Sequence, residues 1–198
     1  MHLLITFEGI DGSGKTTQAN LLYEYLKGRG YSVSLYRDPG STPLAEKIRE
    51  VILSYPADPI TELLLFEAGR SSLVWEKILP DIHAGRVVIV DRFIDSSIAY
   101  QGYGREINLG TVNILNHIST RGIKPDLTFV LNVPIDVALG RIEGKKTKFE
   151  SPEFLRKVRD AYILLAHSEK NREIHLIDAN REKEEVFKDI VAIVERKL

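Results

Sequence analysis

The sequence predicts a three-layer α/β/α fold, in which a five-stranded parallel sheet lies between two layers of helices. The first observation is that five short apolar runs alternate with amphipathic, helix-forming segments along the 198 residues. Such alternation is typical of parallel sheets, because the crossover helices cover both faces of the sheet. The second is that a glycine-rich loop joins the first apolar run to the first helical segment. The length suits one compact unit, so we expect a single domain over residues 1–198.

Each predicted strand is an apolar run rich in β-branched and aromatic side chains. Runs of this kind indicate strands that are buried on both faces. They are LLITFE at 3–8, SVSLYR at 32–37, RVVIVD at 86–91, DLTFVLNV at 126–133 and EIHLID at 173–178. Ligands of parallel sheets bind beyond the carboxyl ends of the strands, so we expect the site near Glu8, Arg37 and Asp91.

Glycine and proline residues suggest where two of the helical segments end. TTQANLLYEYLKGRG, over residues 16–30, follows the glycine-rich loop and is closed by Gly28 and Gly30. Residues 60–85 have the pattern of one long helix, disturbed near Gly69 and ended by Pro80 or Gly85.

The composition excludes several classes of partner. The chain has 27 basic and 28 acidic residues, a net charge of −1, which gives no sign of binding to nucleic acid. No apolar run approaches the roughly 18 residues that a membrane span needs. The absence of cysteine excludes disulfides and thiolate metal sites. We therefore expect a cytoplasmic enzyme with no nucleic-acid and no membrane partner.

The stretch GKKTKFESPEF, residues 144–154, is polar and basic and lies between two helical segments. In an ordinary protein it would be a solvated connector. In an enzyme that handles phosphate, a mobile basic lid is the better interpretation. We expect a core over 1–142 and 155–198, with a lid at approximately 143–154.

Residues 9–16 match the P-loop pattern G-x-x-x-x-G-K-[ST] between a strand and a helix. In a P-loop, backbone N–H groups and a helix N-terminus bind phosphate oxygens. The lysine reaches the β- and γ-phosphates and the threonine hydroxyl binds Mg²⁺. The predicted ATP-binding residues are Gly9, Ile10, Asp11, Gly12, Ser13, Gly14, Lys15, Thr16 and Thr17.

Asp91 is a second candidate for Mg²⁺ binding, together with Thr16. It ends the apolar run RVVIVD, as the carboxylate of a Walker B strand does. Many strands end in Asp for capping reasons, so the interpretation depends on the P-loop beside it.

The acceptor of the phosphate is a separate question. The Asn-Lys-x-Asp motif of GTPases is absent from the sequence. Four arginines at strand ends and on helices could instead bind a second phosphate by bidentate contacts. They are Arg37, Arg49, Arg70 and Arg92.

Five segments together resemble the thymidylate kinases, a family of P-loop NTPase-type nucleoside monophosphate kinases, in their bacterial form with a basic lid. They are FEGIDGSGKTT (7–17), RDPGST (37–42), LLFEAGR (64–70), DRFIDSSIAYQGYGR (91–105) and KPDLTFVLNV (124–133). The resemblance implies transfer of the γ-phosphoryl group of MgATP to dTMP, giving dTDP and ADP for dTTP biosynthesis. It also implies a homodimer.

The resemblance implies a dTMP pocket and a role for most of its residues. Arg92 corresponds to the arginine that binds the acceptor phosphate, and Arg70 to the one that holds a thymine carbonyl. Phe66 corresponds to the ring stacked on thymine, Tyr100 to the ring under the sugar, and Asp11 to the carboxylate that binds the 3′-hydroxyl. The implied dTMP-binding residues are Asp11, Arg37, Arg49, Phe66, Arg70, Arg92, Ser97, Tyr100 and Gln101.

The sequence departs from the family in two places. In the lid, many relatives have an arginine where Lys148 stands, and in the segment RDPGST, Asp38 stands where the family usually has a glutamate. The catalytic candidates are Lys15, Arg92, Lys148 and Arg141, with Lys145 and Lys146 as further possible lid cations.

Two other classes remain open. A deoxynucleoside kinase or another monophosphate kinase would share the P-loop but differ at Phe66, Arg70, Ser97 and Tyr100. A P-loop switch protein would use ATP slowly and would not depend on a small acceptor.

Overall fold

The structure is a computed structural model, and the residues that it describes are 3–142, 149 and 151–198. The strands are β1 (Leu3–Glu8), β2 (Val33–Arg37), β3 (Val87–Asp91), β4 (Leu127–Asn132) and β5 (Glu173–Asp178). They form one parallel sheet in the order β2-β3-β1-β4-β5. All five predicted strands are confirmed, with boundaries that differ by no more than one residue from those expected.

Helices connect the strands and cover the sheet. They are α1 (Lys15–Gly28), α2 (Pro43–Ser54), α3 (Pro59–Leu73), α4 (Leu79–His83), α5 (Ile94–Ser97), α6 (Leu109–Thr120), α7 (Ile135–Arg141), α8 (Pro152–Ser168) and α9 (Lys183–Val194). Two π-helical segments, Val74–Ile78 and Ile98–Gly104, follow α3 and α5 directly. The helix expected to close at Gly28 ends there, and Gly30 adopts a φ of 84°.

The single long helix expected over 60–85 is partly wrong. Gly69 lies inside α3 without a break, so the predicted disturbance there does not occur. The change comes at Val74–Ile78, where the backbone widens to a π-helix just before Pro80. Pro80 has no N–H for the helical pattern, and the wide turn lies directly ahead of it. The helix ends at His83, and Gly85 takes a left-handed φ of 71° as a terminating glycine does.

Side chains of β1 alternate between two hydrophobic clusters, one on each face of the sheet. Leu3, Ile5 and Phe7 belong to a cluster that includes buried residues of α1, α8 and α9. Leu4 belongs to the other cluster, with Leu73 at the end of α3. Because successive side chains of a strand point to opposite faces, these clusters place helices on both sides of the sheet. The predicted three-layer arrangement is confirmed.

The carboxyl ends of the central strands meet at one edge. Phe7 of β1 pairs with Asp91 of β3, and Arg37 of β2 pairs with the same aspartate. The loops that leave these strands therefore start side by side. No helix in the described part of the chain is both long and apolar enough to cross a membrane.

The predicted lid falls mostly outside the described residues, including Lys145, Lys146 and Lys148. Of its expected span, Phe149 and residue 151 are described, and Pro152–Phe154 already belong to α8.

Candidate active site

The loop after β1 has the backbone that its glycines allow. Gly9, Gly12 and Gly14 have φ values of 137°, 78° and 94°, in the region that favours glycine. A Cβ at Gly9 would lie 2.6 Å from the carbonyl oxygen of Leu131, and one at Gly12 would collide with the carbonyl oxygen of Ala138. Two of the three glycines are therefore needed for close approach as well as for the turn.

A cavity opens above this loop, and we call it the loop cavity. Its lining residues are Asp11, Gly12, Gly14, Lys15, Thr16, Thr17, Arg37, Asp38, Arg49, Asp91, Arg92 and Arg141. Lys15 is buried and donates from Nζ to the carbonyl oxygen of Ile10 at 2.7 Å. Burial lowers the pKa of Lys15 to about 8, and the positive charge of Arg92 acts in the same direction. An anion bound in this cavity would raise the pKa of Lys15 again, because a nearby negative charge favours the protonated form.

Thr16 and Asp91 lie together on the floor of the loop cavity. The Thr16 hydroxyl donates to Oδ2 of Asp91 at 2.5 Å. Oδ1 of Asp91 is buried and has no hydrogen-bond partner among the described residues. A hydroxyl and a carboxylate oxygen beside a phosphate-binding loop are suitable ligands for Mg²⁺. Within the described ranges no three acidic or histidine side chains converge on a metal position, so such an ion would also need phosphate or water.

A second cavity adjoins the first and is more apolar, and we call it the aromatic cavity. Its lining residues are Asp11, Asp38, Pro39, Arg49, Ile52, Leu53, Phe66, Arg70, Arg92, Ser96, Ser97, Tyr100, Gln101 and Phe149. Phe149 makes edge contacts with Phe66 and Tyr100, with 6.2 Å between ring centroids in each pair. Every residue predicted to bind dTMP lines this cavity except Arg37, which lines the loop cavity.

Four side chains line both cavities and form a shared wall: Asp11, Asp38, Arg49 and Arg92. Arg92 is the centre of this wall. One of its terminal nitrogens donates to Oδ1 of Asp11 at 2.7 Å and to the Tyr100 hydroxyl at 3.2 Å. The other donates to the carbonyl oxygen of Gly9 at 3.1 Å. The backbone of Arg92 has a φ of 70°, an uncommon conformation for a residue with a side chain.

Asp11 points at Arg92 although it belongs to the phosphate loop. The Tyr100 hydroxyl donates to its second oxygen at 3.1 Å. Burial acts to raise the pKa of Asp11, but the charges of Arg92 and Lys15 outweigh it and lower that pKa to about 2. The carboxylate is therefore ionised at neutral pH, and its cationic partner Arg92 lies with it in the wall between the two cavities.

Arg49 and Arg37 add positive charge to the wall. Arg37 pairs with Glu46 at 2.9 Å. For Arg49, no hydrogen bond or ion pair exists within the part of the chain that the structure describes. Burial and the charges of Arg37 and Arg92 lower the pKa of Arg49. Arg37 and Arg92 each have one acidic partner, and Arg49 adds a third positive charge nearby. Such an excess of positive charge is typical of an anion-binding site.

Arg70 is buried among acceptors at the far side of the aromatic cavity. It donates to Asp38 at 2.5 Å, to Glu67 at 2.8 Å and to Asn116 at 2.5 Å. Burial raises the pKa of Asp38, and its Oδ1 has no partner among the described residues.

Sequence reasoning missed the acidic residues behind this cavity. Ser97 donates to Glu67 at 2.7 Å, and Gln101 donates to Glu62 at 3.1 Å. Glu67 stands three residues before Arg70 in LLFEAGR, a spacing at which opposite charges pair on a helix, so the sequence carries a signal for that one contact. The contact of Glu67 with Ser97 joins residues 30 apart and has no such signal.

A third cavity, the outer cavity, continues from the loop cavity past Arg141. Its walls include Ser13, Gln18, Ala179, Arg181 and Lys183. Arg141 donates to the carbonyl oxygen of Ala179 at 3.4 Å. The residues after β5 were missed, although they follow a strand at the edge where ligands bind. None of the three cavities is lined by Gly9 or Ile10.

Comparison with known proteins identifies the family. A family model described as thymidylate kinase matches residues 7–190. A thymidylate kinase of Caldanaerobacter subterraneus subsp. tengcongensis is 46% identical over 199 residues, which covers 98% of this chain and 95% of the relative. One of Thermosipho melanesiensis is 44% identical, with 99% of each chain covered. A crystal structure of thymidylate kinase from Ehrlichia chaffeensis has a TM-score of 0.81 and 36% identity, over 98% of both chains. This chain therefore belongs to the thymidylate kinase family.

Proposed function

We propose that this chain transfers the γ-phosphoryl group of ATP to the phosphate of dTMP, giving ADP and dTDP for dTTP biosynthesis. The observation that carries the proposal is the shared wall of Asp11, Asp38, Arg49 and Arg92 between two cavities. One cavity contains a P-loop and the other contains aromatic and hydrogen-bonding side chains. Two substrates bound there would face each other across the arginines, as phosphoryl transfer in line requires.

On the donor side, residues Gly9–Thr17 bind the triphosphate of ATP. Lys15 places its charge at the β- and γ-phosphates. The outer cavity beside Gln18 and Ala179 takes the remainder of the nucleotide. Thr16 and Asp91 hold Mg²⁺, which neutralises charge on the phosphate oxygens when it is bound.

On the acceptor side, the nucleophile is an oxygen of the dTMP phosphate. This phosphate is already anionic near neutral pH, so the reaction needs no general base. Arg92 binds that phosphate, with Arg49 and Arg37 beside it. Stabilisation of the transferring group by positioned cations is the main contribution to the rate.

The nucleoside of dTMP occupies the aromatic cavity. Phe66 stacks on the base, and Ser97, Gln101 and Arg70 bind its polar edge. Tyr100 lies against the sugar, and Asp11 accepts a hydrogen bond from the 3′-hydroxyl.

A lid over approximately 143–154 closes on the core and excludes water, which prevents hydrolysis of ATP. Arg141 stands at its near end and lines the loop cavity. Lys148 is the proposed lid cation, with Lys145 and Lys146 as alternatives.

The active protein is a cytoplasmic homodimer in this proposal. Helices α3 and α6 pack together, and both carry exposed apolar side chains. Among these are Leu64 on α3, Trp75 just beyond it, and Ile114 and Ile118 on α6. These side chains suit burial against a second copy.

The experiment is a coupled assay of ADP release with ATP, Mg²⁺ and a panel of dTMP, dUMP, dCMP, CMP and GMP. We expect dTMP to stimulate ADP release far above the rate without acceptor. Stimulation by another monophosphate but not by dTMP would favour a different kinase. Equal release without any acceptor would favour a P-loop switch protein.

A further inference from the structure

A single buried carboxylate holds two of the side chains that line the aromatic cavity. Oε1 of Glu67 accepts hydrogen bonds from the Ser97 hydroxyl at 2.7 Å and from Arg70 at 2.8 Å. Oε2 accepts from the Ser119 hydroxyl at 2.5 Å. Glu67 is only 5% exposed, so these donors replace water. Glu67 is the acceptor in all three contacts, and a carboxylate without a proton can only accept hydrogen bonds.

The contact with Glu67 fixes what Ser97 can offer to a ligand. A serine hydroxyl has one proton and two lone pairs. Its proton is donated to Glu67, so only lone pairs remain for a group in the aromatic cavity. Ser97 therefore faces the cavity as an acceptor and requires a donor from the ligand.

Arg70 offers the opposite polarity. Its guanidinium has five N–H donors and no acceptor. Nε donates to Asp38, Nη1 donates to Glu67 and Asn116, and Nη2 donates to the carbonyl oxygen of Phe93. One N–H on Nη2 has no acceptor among the described residues. Arg70 therefore requires an acceptor from the ligand.

Gln101 does not add a fixed polarity. One N–H of its amide donates to Glu62 at 3.1 Å. The second N–H and the amide oxygen remain, so Gln101 can meet a donor or an acceptor. The fixed polarity of the cavity thus comes from Ser97 and Arg70, which are joined through Glu67.

We propose that Glu67 is a positioning residue that selects the base of the acceptor nucleotide, favouring thymine and uracil over cytosine. This inference rests on the proposed function, in which the aromatic cavity binds a pyrimidine monophosphate. Thymine and uracil carry a carbonyl next to an N–H, an acceptor beside a donor. Arg70 and Ser97 present the complementary donor and acceptor. Cytosine carries an amino group next to an unprotonated ring nitrogen, so both of its groups would be mispaired.

The test compares kcat/KM for dTMP, dUMP and dCMP in wild type and Glu67→Gln. The amide nitrogen of glutamine can donate to Ser97, which frees the serine proton for a ligand. We expect the ratio of kcat/KM for dTMP to that for dCMP to fall at least about ten-fold. The reason is that the ring nitrogen of cytosine could then accept a hydrogen bond from Ser97, which leaves cytosine with one mispaired group instead of two. The ratio of dTMP to dUMP is expected to stay the same, since the two bases share this edge.

Two further variants keep the test decisive if Glu67→Gln does not fold. Ser97→Ala removes the acceptor itself and should lower the ratio of dTMP to dCMP in the same way. Ser119→Ala removes the other hydroxyl on Glu67, which does not line the cavity, and should cost stability without changing the ratio.

An unchanged ratio in Ser97→Ala, or in a folded and active Glu67→Gln, would overturn the inference while leaving the proposed function intact. An equal fall in Ser119→Ala would also overturn it, since the effect would then be one of general packing. Failure of the wild type to phosphorylate dTMP would instead contradict the proposed function, and this inference with it.

Discussion

Arg92 lies in the wall that the two cavities share, and its backbone has a positive φ. Its φ of 70° costs a residue with a Cβ about 1 kcal/mol relative to glycine. A strained residue with a cationic side chain aimed between two cavities is typical of a functional site.

The prediction for Arg92 uses this strain as an internal control. Arg92→Ala and Arg92→Gly should both lower kcat with dTMP by about 10³-fold or more, because both remove the bridging cation. In urea unfolding, Arg92→Gly should be more stable than Arg92→Ala by about 1 kcal/mol, because glycine relieves the left-handed backbone. Near-normal dTMP turnover in either variant would rule out the proposed role.

Glu8 gives a prediction for the pH dependence of stability. It is buried at the end of β1 and accepts from the Phe93 backbone at 2.8 Å and from the Tyr162 hydroxyl at 2.9 Å. Burial raises the pKa of Glu8 from 4.5 to about 7, and the charge of Asp95 adds to the effect. The folded protein therefore binds a proton more tightly than the unfolded chain does. The contribution of this proton to the free energy of unfolding is fully present below pH 4.5, and it is lost as the pH rises through 7.

The comparison of wild type with Glu8→Gln isolates this contribution, because the other titrating groups are common to both proteins. Between pH 4.5 and pH 8, the free energy of unfolding of wild type should fall relative to that of Glu8→Gln by about 3 kcal/mol. The measurement is urea unfolding across that range. If the free energies of unfolding of the two proteins changed equally with pH, the pKa of Glu8 would not be raised in the folded protein.

At the residue scale, the sequence pointed to residues that line the candidate site more readily than to the residues behind them. The P-loop residues were predictable because glycine and lysine spacing follows from phosphate geometry. The roles of Glu67 and Glu62 were not, because apart from Arg70 the partners named for these two carboxylates come from distant parts of the chain.

The elements that position the site differ in how far sequence predicts them. The strands were predictable because a strand covered on both faces must be apolar along its length. The π-helical segments were not, because a single wide turn involves too few residues to change the hydrophobic pattern of a helix recognisably. One of them, Ile98–Gly104, carries Tyr100 and Gln101 into the aromatic cavity.

The contact between the P-loop and α7 gives a prediction at this scale. A Cβ at Gly12 would collide with the carbonyl oxygen of Ala138 in α7, whereas a Cβ at Gly14 would meet open space. Both glycines have positive φ, so Gly14→Ala should cost about 1 kcal/mol of unfolding free energy. Gly12→Ala should cost about 1–3 kcal/mol more, because the backbone of α7 must move. The measurement is urea unfolding without nucleotide, and equal losses would contradict this account of the loop.

The whole molecule presents an apolar surface that the single chain leaves uncovered. Trp75, Ile114 and Ile118 are 64%, 62% and 63% exposed on or beside the paired helices α3 and α6. The sequence predicts a helix in the region of α3, but the packing of α3 against α6 was needed to show which apolar side chains remain outside.

The prediction for this surface concerns the oligomeric state. Light scattering of the wild type should give twice the chain mass of 22.4 kDa. The double variant Ile114→Glu with Ile118→Glu should give one chain mass, because two charges cannot be buried between copies without partners. Leu164→Glu, at an exposed apolar residue on α8, is the control and should leave the mass unchanged. A wild type with the mass of one chain would contradict the proposed homodimer.

In the proposed reaction, the two cavities bring a donor and an acceptor phosphate together across Arg92. The most direct test follows the label from ATP that is radioactive at the γ-phosphate, with and without dTMP. We expect the label to appear in dTDP in the presence of dTMP, with little released as inorganic phosphate. Release of labelled inorganic phosphate at the same rate with and without dTMP would rule out transfer between the two cavities.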